Sequence, residues 1–308
     1  MKLQQLRYLV EVADAGLNVS QAALNLHTSQ PGVSKQIRML ENEIGVDVFI
    51  RNGKRIVGVT SQGQALLGEA KKILEEVRNF KSMGREFSQP KVGTLILATT
   101  HTQARYVLPP IILGFVHDYP EVRFRLHQGN PIHVAEEVVS GRADIAIATE
   151  SLEQFSDLCL FTCYEWNRIL IVPKGHPLLD VKKVRLEHLL DYPLITYDSS
   201  FTGRSQINKA FEAVGATPNV ILSALDSDVI KTYVALNMGI GLIAQMAYDP
   251  KRDHELASIS VAHLFAPSTT RLALRRGAYL RQYHYDFMIR LAPHLNIKMI
   301  KDALGVEE

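Results

Sequence analysis

Cysteine is nearly absent: Cys159 and Cys163 are the only two in 308 residues. They lie in an apolar stretch, Leu158 to Tyr164, that reads as a strand, and four residues of strand span about 13 Å, beyond the reach of a disulfide. Buried thiols are expected there, with a cysteine-based redox sensor as the alternative. Long apolar runs are missing too. Nothing approaches the roughly 18 residues of a membrane span, and no charged segment followed by an apolar one opens the chain as a secretory signal would. A cytoplasmic protein with no membrane partner is the expectation. The 11 histidines are scattered, with no H-E-x-x-H pair and no zinc spacing, so no metal is expected. No G-x-G-x-x-G follows a strand, and Walker A, G-x-S-x-G and paired strand-end carboxylates are all lacking. These absences argue against a nucleotide cofactor and against an enzyme, and no catalytic residue is assigned.

What is present is an ordinary balance, 46% hydrophobic and 21% charged, over a length that suits two or more domains. The net charge of +2 is unevenly spread. Residues 1–91 carry 13 Lys/Arg against 9 Asp/Glu, and the remainder carries 21 against 23. A basic N-terminal third points to a polyanionic partner, although a solvated surface explains so small an excess equally well.

The first third reads as three short helices, Leu3–Ala15, Val19–Leu26 and Gln30–Ile44. Gly16 stops the first and Gly45 the last, and Ser29 caps the third ahead of Pro31, whose missing N–H costs nothing in a first turn. Two helices joined by the turn His27–Thr28–Ser29 form a helix-turn-helix pattern, with small Ala23 at the close approach and Val33 facing the core. Val48–Arg51 and Ile56–Val59 then read as a hairpin turning at Asn52–Gly53, with Arg51, Lys54 and Arg55 as a basic wing. Gln30 and Ser34, one turn apart, are candidates for base edges; Lys35 and Arg38 suit phosphates, and Ser20, Thr28, Ser29 and Pro31 complete the candidate DNA-facing set. From Ser61 to Phe87 one long helix is expected. Its apolar stripe of Leu66, Leu67, Ala70, Ile73, Leu74, Val77 and Phe80 suits pairing with a second copy, and packing on its own domain is the alternative. Ser88–Gln89–Pro90 reads as a linker.

Beyond Pro90, strand and helix patterns alternate to about Ala244, which predicts an α/β fold with parallel sheets. Val92–Ala98 reads as a buried strand and Ala104–His117 as a helix. Thr99, Thr100, Thr102 and Gln103 fall where strand gives way to helix, the place where open α/β sheets bind ligands. Helix N–H groups favour an anion there; a polar cap is the other reading.

The block from Ser20-Gln21-Ala22-Ala23 through Ser29-Gln30-Pro31-Gly32-Val33-Ser34-Lys35 to Leu40-Glu41, followed by Gly45, Phe49 and Arg51, resembles the signature of the LysR-type transcriptional regulators. The resemblance covers essentially the whole chain. It implies an N-terminal winged helix-turn-helix (1–59), a linker and dimerisation helix with a hinge (60–91), and an α/β effector domain of two Rossmann-like lobes, shaped like a periplasmic binding protein. Lobe I would comprise 92–164 and 267–308, and lobe II 165–266. Within the family, Ala98-Thr99-Thr100-His101-Thr102-Gln103-Ala104-Arg105-Tyr106, Ala146–Glu150, Phe201–Ser205 and Asp226–Val234 are most similar to the CysB/Cbl subfamily of sulfur-assimilation regulators. That similarity implies an effector pocket of Thr100, Thr102, Gln103, Thr149 and Thr202. Gly129 and Gly203 are candidates for close backbone approach, and Arg204 either faces the ligand or caps a surface. The implied effector is O-acetylserine, N-acetylserine, sulfate, thiosulfate or adenosine phosphosulfate. The implied partners are promoter DNA, RNA polymerase and further copies of the chain, in a homotetramer built from dimers.

Overall fold

The computed structural model describes residues 1–53, 55–88, 92–149, 151–198 and 202–305, apart from the side chains of residues 86, 202, 203 and 205. The chain falls into two compact units, 1–88 and 89–308.

In the first unit, α1 (Leu3–Asp14), α2 (Val19–Asn25) and α3 (Gln30–Ile44) enclose a core that includes Leu6, Leu9, Val12, Ala23, Val33 and Ile37. Local chemistry sets the helix ends. The Asn18 side chain accepts from the Ser20 and Gln21 amides at 3.1 and 3.0 Å, opening α2, so Asn18 is the cap and Ser20 lies inside the first turn. His27 takes a left-handed φ of 50°, and the Thr28 amide donates to the Ala23 carbonyl at 2.9 Å, closing the turn without glycine. Ser29 Oγ accepts from the Gly32 amide at 3.3 Å, and Gly45, at φ 71°, ends α3. The wing is an antiparallel pair, β1 (Phe49–Asn52) and β2 (Arg55–Val59), with Asn52 opposite Arg55. Lys54 lies outside the described residues.

Helix α4 (Ser61–Ser88) divides its apolar stripe. Leu67 and Ala70 are buried in the core of this unit, with Leu66 and Leu74 packed against it, so the first half is covered by its own domain. Ile73 and Phe80 are exposed, Phe80 by 78%. Only the second half of the stripe is left for another partner. The expected linker after Ser88 lies outside the described residues.

The second unit contains two five-stranded sheets. The first is built from β3 (Gly93–Thr99), β4 (Val122–Gln128), β5 (Ile145–Thr149), β6 (Leu158–Trp166) and β12 (Ser268–Arg275), in the order β4-β3-β5-β12-β6. The second, in the order β9-β8-β10-β7-β11, uses β7 (Arg168–Pro173), β8 (Leu194–Tyr197), β9 (Val220–Ala224), β10 (Ile240–Ala244) and β11 (Leu256–Ser260). Each has three parallel strands with the first in the middle, then a strand running against them, then an edge strand antiparallel to that one. The sheets are therefore mixed, not parallel. The reversal follows from connectivity: β6 runs straight into β7 through Asn167 with no crossover helix, and β12 returns from the other sheet. Helices α5 (Leu108–Asp118), α6 (Pro131–Val139), α7 (Leu186–Leu190), α8 (Thr202–Glu212) and α9 (Ser227–Ala235) accompany the strands. β11, β12, α10 (Gln282–Leu291) and α11 (Ile297–Leu304) follow the last segment whose pattern is read from the sequence.

Along β3, Leu95 and Leu97 enter one apolar cluster and Ile96 and Ala98 another, so the first sheet is covered on both faces. After β3 the helix expected from Ala104 is present as α5, but it opens with a different winding. Residues Gln103–Val107 make a wide π turn, in which the Leu108 amide reaches back to the Gln103 carbonyl. Pro109 and Pro110 follow it in the first turn of α5, where neither can supply an N–H to the carbonyls of Arg105 and Tyr106.

Candidate functional site

In the first unit, the exposed face of α3 presents Gln30, Pro31, Lys35 and Arg38 to solvent, with Ser34 half-buried. Gln30 Nε2 donates to Ser34 Oγ at 3.3 Å, so these two polar groups share one turn. Ser20 and Arg55 are exposed and line a notch of about 450 Å³ together with Gly16, Asn18 and Gln30. Thr28 is half-buried in the turn, and Ser29 is spent on its cap. Arg51 does not belong with the exposed set. Its guanidinium pairs with the buried carboxylate of Glu41 at 2.6 and 3.1 Å.

In the second unit, strand register assembles a polar cluster that sequence spacing could not. Thr149 lies opposite Thr270, and Thr270 opposite Tyr164, across β5, β12 and β6. The Thr270 hydroxyl accepts from Gln103 Nε2 at 3.2 Å and from Trp166 Nε1 at 3.1 Å. Thr149 Oγ1 lies 3.3 Å from the same hydroxyl. The Tyr164 hydroxyl donates to Gln103 Oε1, so both ends of this buried amide are held. Burial pushes the Tyr164 phenol up to about 12 against the opposing hydrogen bonds of Thr270 and Gln103, so it is protonated at neutral pH. Beside Trp166 lies Arg168, 2% exposed, which donates to Ser268 Oγ at 2.9 Å and to the Ala266 carbonyl at 3.2 Å.

The second sheet contributes Tyr197 from the end of β8. Its hydroxyl accepts from the Ala244 amide at 3.1 Å, meets Ser227 Oγ at 2.6 Å and has the Thr102 side chain as a further partner. The two sheets are joined directly beside this cluster. Tyr106 donates to Asp228 Oδ1 at 2.7 Å, and Arg105 Nε lies 2.7 Å from Oδ2. Lys231 Nζ lies 3.3 Å from the same carboxylate and 3.0 Å from Asp253. Burial pushes the Asp228 carboxyl up, but the Tyr106 phenol, Lys231 and Arg105 outweigh it and hold the group below its ordinary value.

The effector-facing candidates therefore separate. Gln103 and Thr149 meet at Thr270, Thr102 reaches Tyr197 of the second sheet, and Thr100 is buried just after β3. Thr99 is fully buried, and its hydroxyl donates to the Ile147 carbonyl at 2.8 Å, tying β3 to β5. Gly129 sits in the turn after β4, its amide on the Thr99 carbonyl, and a Cβ there would meet the His133 ring at 2.4 Å. Arg204 Nε is engaged by Asn208 on its own helix at 2.9 Å. Thr202 and Gly203 open α8, but their side chains lie outside those described. Thr270, Tyr164, Trp166, Arg168 and Tyr197 were not assigned from sequence. Only the β-strand register brings them in, although the alternation of Thr162–Trp166 offers a partial signal.

Among the described residues, His101, Asp226 and Asp228 form the one cluster with metal-ligand types close together. Asp228 is already neutralised by Arg105 and Lys231, and Asp226 caps α9 through the Val229 amide at 2.9 Å, so a cation would meet repulsion and occupied ligands. Neither cysteine is set up for redox chemistry. Burial pushes the Cys163 thiol up to about 12 and raises that of Cys159, whose Sγ contacts the Ala303 carbonyl at 3.2 Å. No helix among the described residues is long and apolar enough to cross a membrane.

Comparison with known proteins agrees with both units. The bacterial regulatory helix-turn-helix family of lysR type matches residues 3–64, and the LysR substrate binding domain matches residues 88–296. The chain is 48% identical to the HTH-type transcriptional regulator SsuR of Burkholderia cenocepacia, over 96% of each chain. It is 46% identical to CysB of the same organism, over 100% of this chain and 98% of that one. The crystal structure of the cofactor-binding domain of the Cbl transcriptional regulator superposes with a TM-score of 0.67 at 42% identity, covering 69% of this chain and 93% of that one. A helix-turn-helix unit followed by a two-sheet α/β unit, each matched by its own family, makes this chain a member of the LysR family of DNA-binding transcriptional regulators, and not an enzyme.

Proposed function

We propose that the chain regulates transcription of sulfur-assimilation genes, acting chiefly as an activator in the cytoplasm, and that a small sulfur-pathway effector controls it from the seam between the two sheets. The observation that carries this reading is that Thr270 holds Gln103 and Thr149 in the first sheet while Thr102, the neighbour of Gln103, meets Tyr197 of the second. Hydroxyl and amide donors bind an oxyanion or an acetylated amino acid without a matching carboxylate, and the buried charge of Arg168 adds a favourable field. Likeness to SsuR, CysB and Cbl supports the sulfur assignment.

In this reading lobe I comprises residues 92–164 and 267–308, and lobe II residues 165–266. O-acetylserine, N-acetylserine, sulfate, thiosulfate and adenosine phosphosulfate are the effectors of choice. Dimers pair through the uncovered half of α4 and assemble into a tetramer on promoter DNA, where RNA polymerase is contacted. Ligand occupancy changes the relative populations of two lobe arrangements, which requires different affinity for each. Isothermal titration of the full chain against the five compounds tests the reading. Saturable binding of one, lost in Gln103→Ala, supports it. Absence of binding by all five defeats the sulfur assignment.

A further inference from the structure

Glu41 is out of place by the usual rules. It stands in the last turn of α3, where the helix dipole disfavours an anion, and it is 3% exposed. Its carboxylate is nevertheless saturated. Oε1 accepts from the Val48 amide at 2.9 Å, the Phe49 amide at 3.2 Å and Arg51 Nη1 at 3.1 Å, while Oε2 accepts from Arg51 Nη2 at 2.6 Å. Arg51 Nη1 also reaches the Phe49 carbonyl at 3.4 Å. A side chain of α3 thus serves as the hydrogen-bonding neighbour that the root of β1 lacks in a two-stranded sheet.

From this geometry we infer that Glu41 and Arg51 are a positioning pair that welds the wing to the recognition helix, and that Arg51 contributes to DNA binding through Glu41 rather than by touching DNA. The exposed DNA candidates sit on both sides of the weld: Lys35 and Arg38 on α3, Arg55 on the wing. Two contact elements held in one rigid arrangement engage DNA without a fresh ordering cost for the second. Cutting the weld frees the wing and leaves a buried charge without its partner. An arginine that serves in this way is bidentate by necessity, which a lysine cannot reproduce.

The test uses the full chain and a duplex enriched from a random pool by the unaltered protein, titrated by gel shift at several salt concentrations. Arg51→Gln is expected to bind at least tenfold more weakly with an unchanged log–log salt slope, whereas Arg55→Gln lowers the slope by about one, as loss of a phosphate contact does. Hydrogen exchange at the Val48 and Phe49 amides is expected to speed up in Arg51→Gln and not in Arg55→Gln. Arg51→Lys decides the matter if the glutamine variant does not fold: a phosphate contact survives with lysine, a bidentate brace does not. Near-native affinity of Arg51→Lys, a salt slope reduced by about one in Arg51→Gln, or affinity of Arg51→Gln within twofold of the unaltered chain would each overturn the inference.

Discussion

The phenol of Tyr106, on the turn that follows β3 of one sheet, donates to the carboxylate of Asp228, on the first turn of α9 beside the other, at 2.7 Å. Arg105 and Lys231 flank the same carboxylate, and Lys231 Nζ lies 5.2 Å from the centre of the Tyr106 ring. The residues in between, Thr102 and Gln103, are those offered to an effector, so the link between sheets and the candidate site share one short segment.

Asp228→Asn is expected to lower the melting temperature, by an amount that depends on pH in a definite direction. The folded carboxyl titrates below its unfolded value of about 4, so its contribution is complete above that value and is lost as the pH falls through the folded one. The difference in melting temperature between the unaltered chain and Asp228→Asn should be constant from pH 7 to 5 and shrink below about pH 4. A difference that grows toward pH 3 would contradict this account of the link.

Thr270→Val removes the acceptor shared by Gln103 and Trp166 while keeping the side chain's shape. Two buried N–H donors then lack their partner, at a cost of about 1–3 kcal/mol in unfolding free energy. Effector affinity should fall together with stability, and Thr270→Ser should restore most of both. Chemical denaturation and calorimetry on the three proteins provide the measurement; an unchanged affinity in Thr270→Val would remove Thr270 from the site.

Gly63 is required by contact. A Cβ there would lie 2.1 Å from the Val48 carbonyl oxygen, which also accepts from Thr60. Gly63→Ala is expected to destabilise the first unit by about 1–3 kcal/mol, the usual range for overpacking. Gly68→Ala, one and a half turns later on α4, meets nothing within 4 Å and should stabilise by about 0.5–1 kcal/mol. Melting curves of the two variants should therefore move in opposite directions.

The thiols should be inert in the native chain. With Cys163 pushed up to about 12 and Cys159 raised by burial, almost no thiolate is present at pH 7. Ellman's reagent is expected to react only after unfolding, and the double Cys→Ser variant should keep its effector response. Rapid labelling of either thiol in the folded protein would revive the redox-sensor reading.

Amino-acid order alone determined the helix-turn-helix, because its signals act within a turn or two: the cap at Ser29, Pro31 behind it, Gly45 at the end and Val33 turned to the core. The same holds for most strands of the α/β unit up to Ala244, and for Thr100, Thr102 and Gln103 at a strand-to-helix junction. Where local rules were read too simply the outcome differed: the first turn of the helix expected from Ala104 is a π turn ahead of α5, and the direct passage from β6 to β7 made the sheets mixed. Tertiary structure decided the rest. Thr270 meets Gln103 from 167 residues away only because β12 returns between β5 and β6 in a register that sets it beside Thr149 and Tyr164. Arg51 looks like a wing cation until Glu41 is seen to hold it, and Thr99 like a ligand contact until its hydroxyl is found on Ile147. Periodicity reports which face a residue occupies; which distant partner waits there is set by how the elements pack.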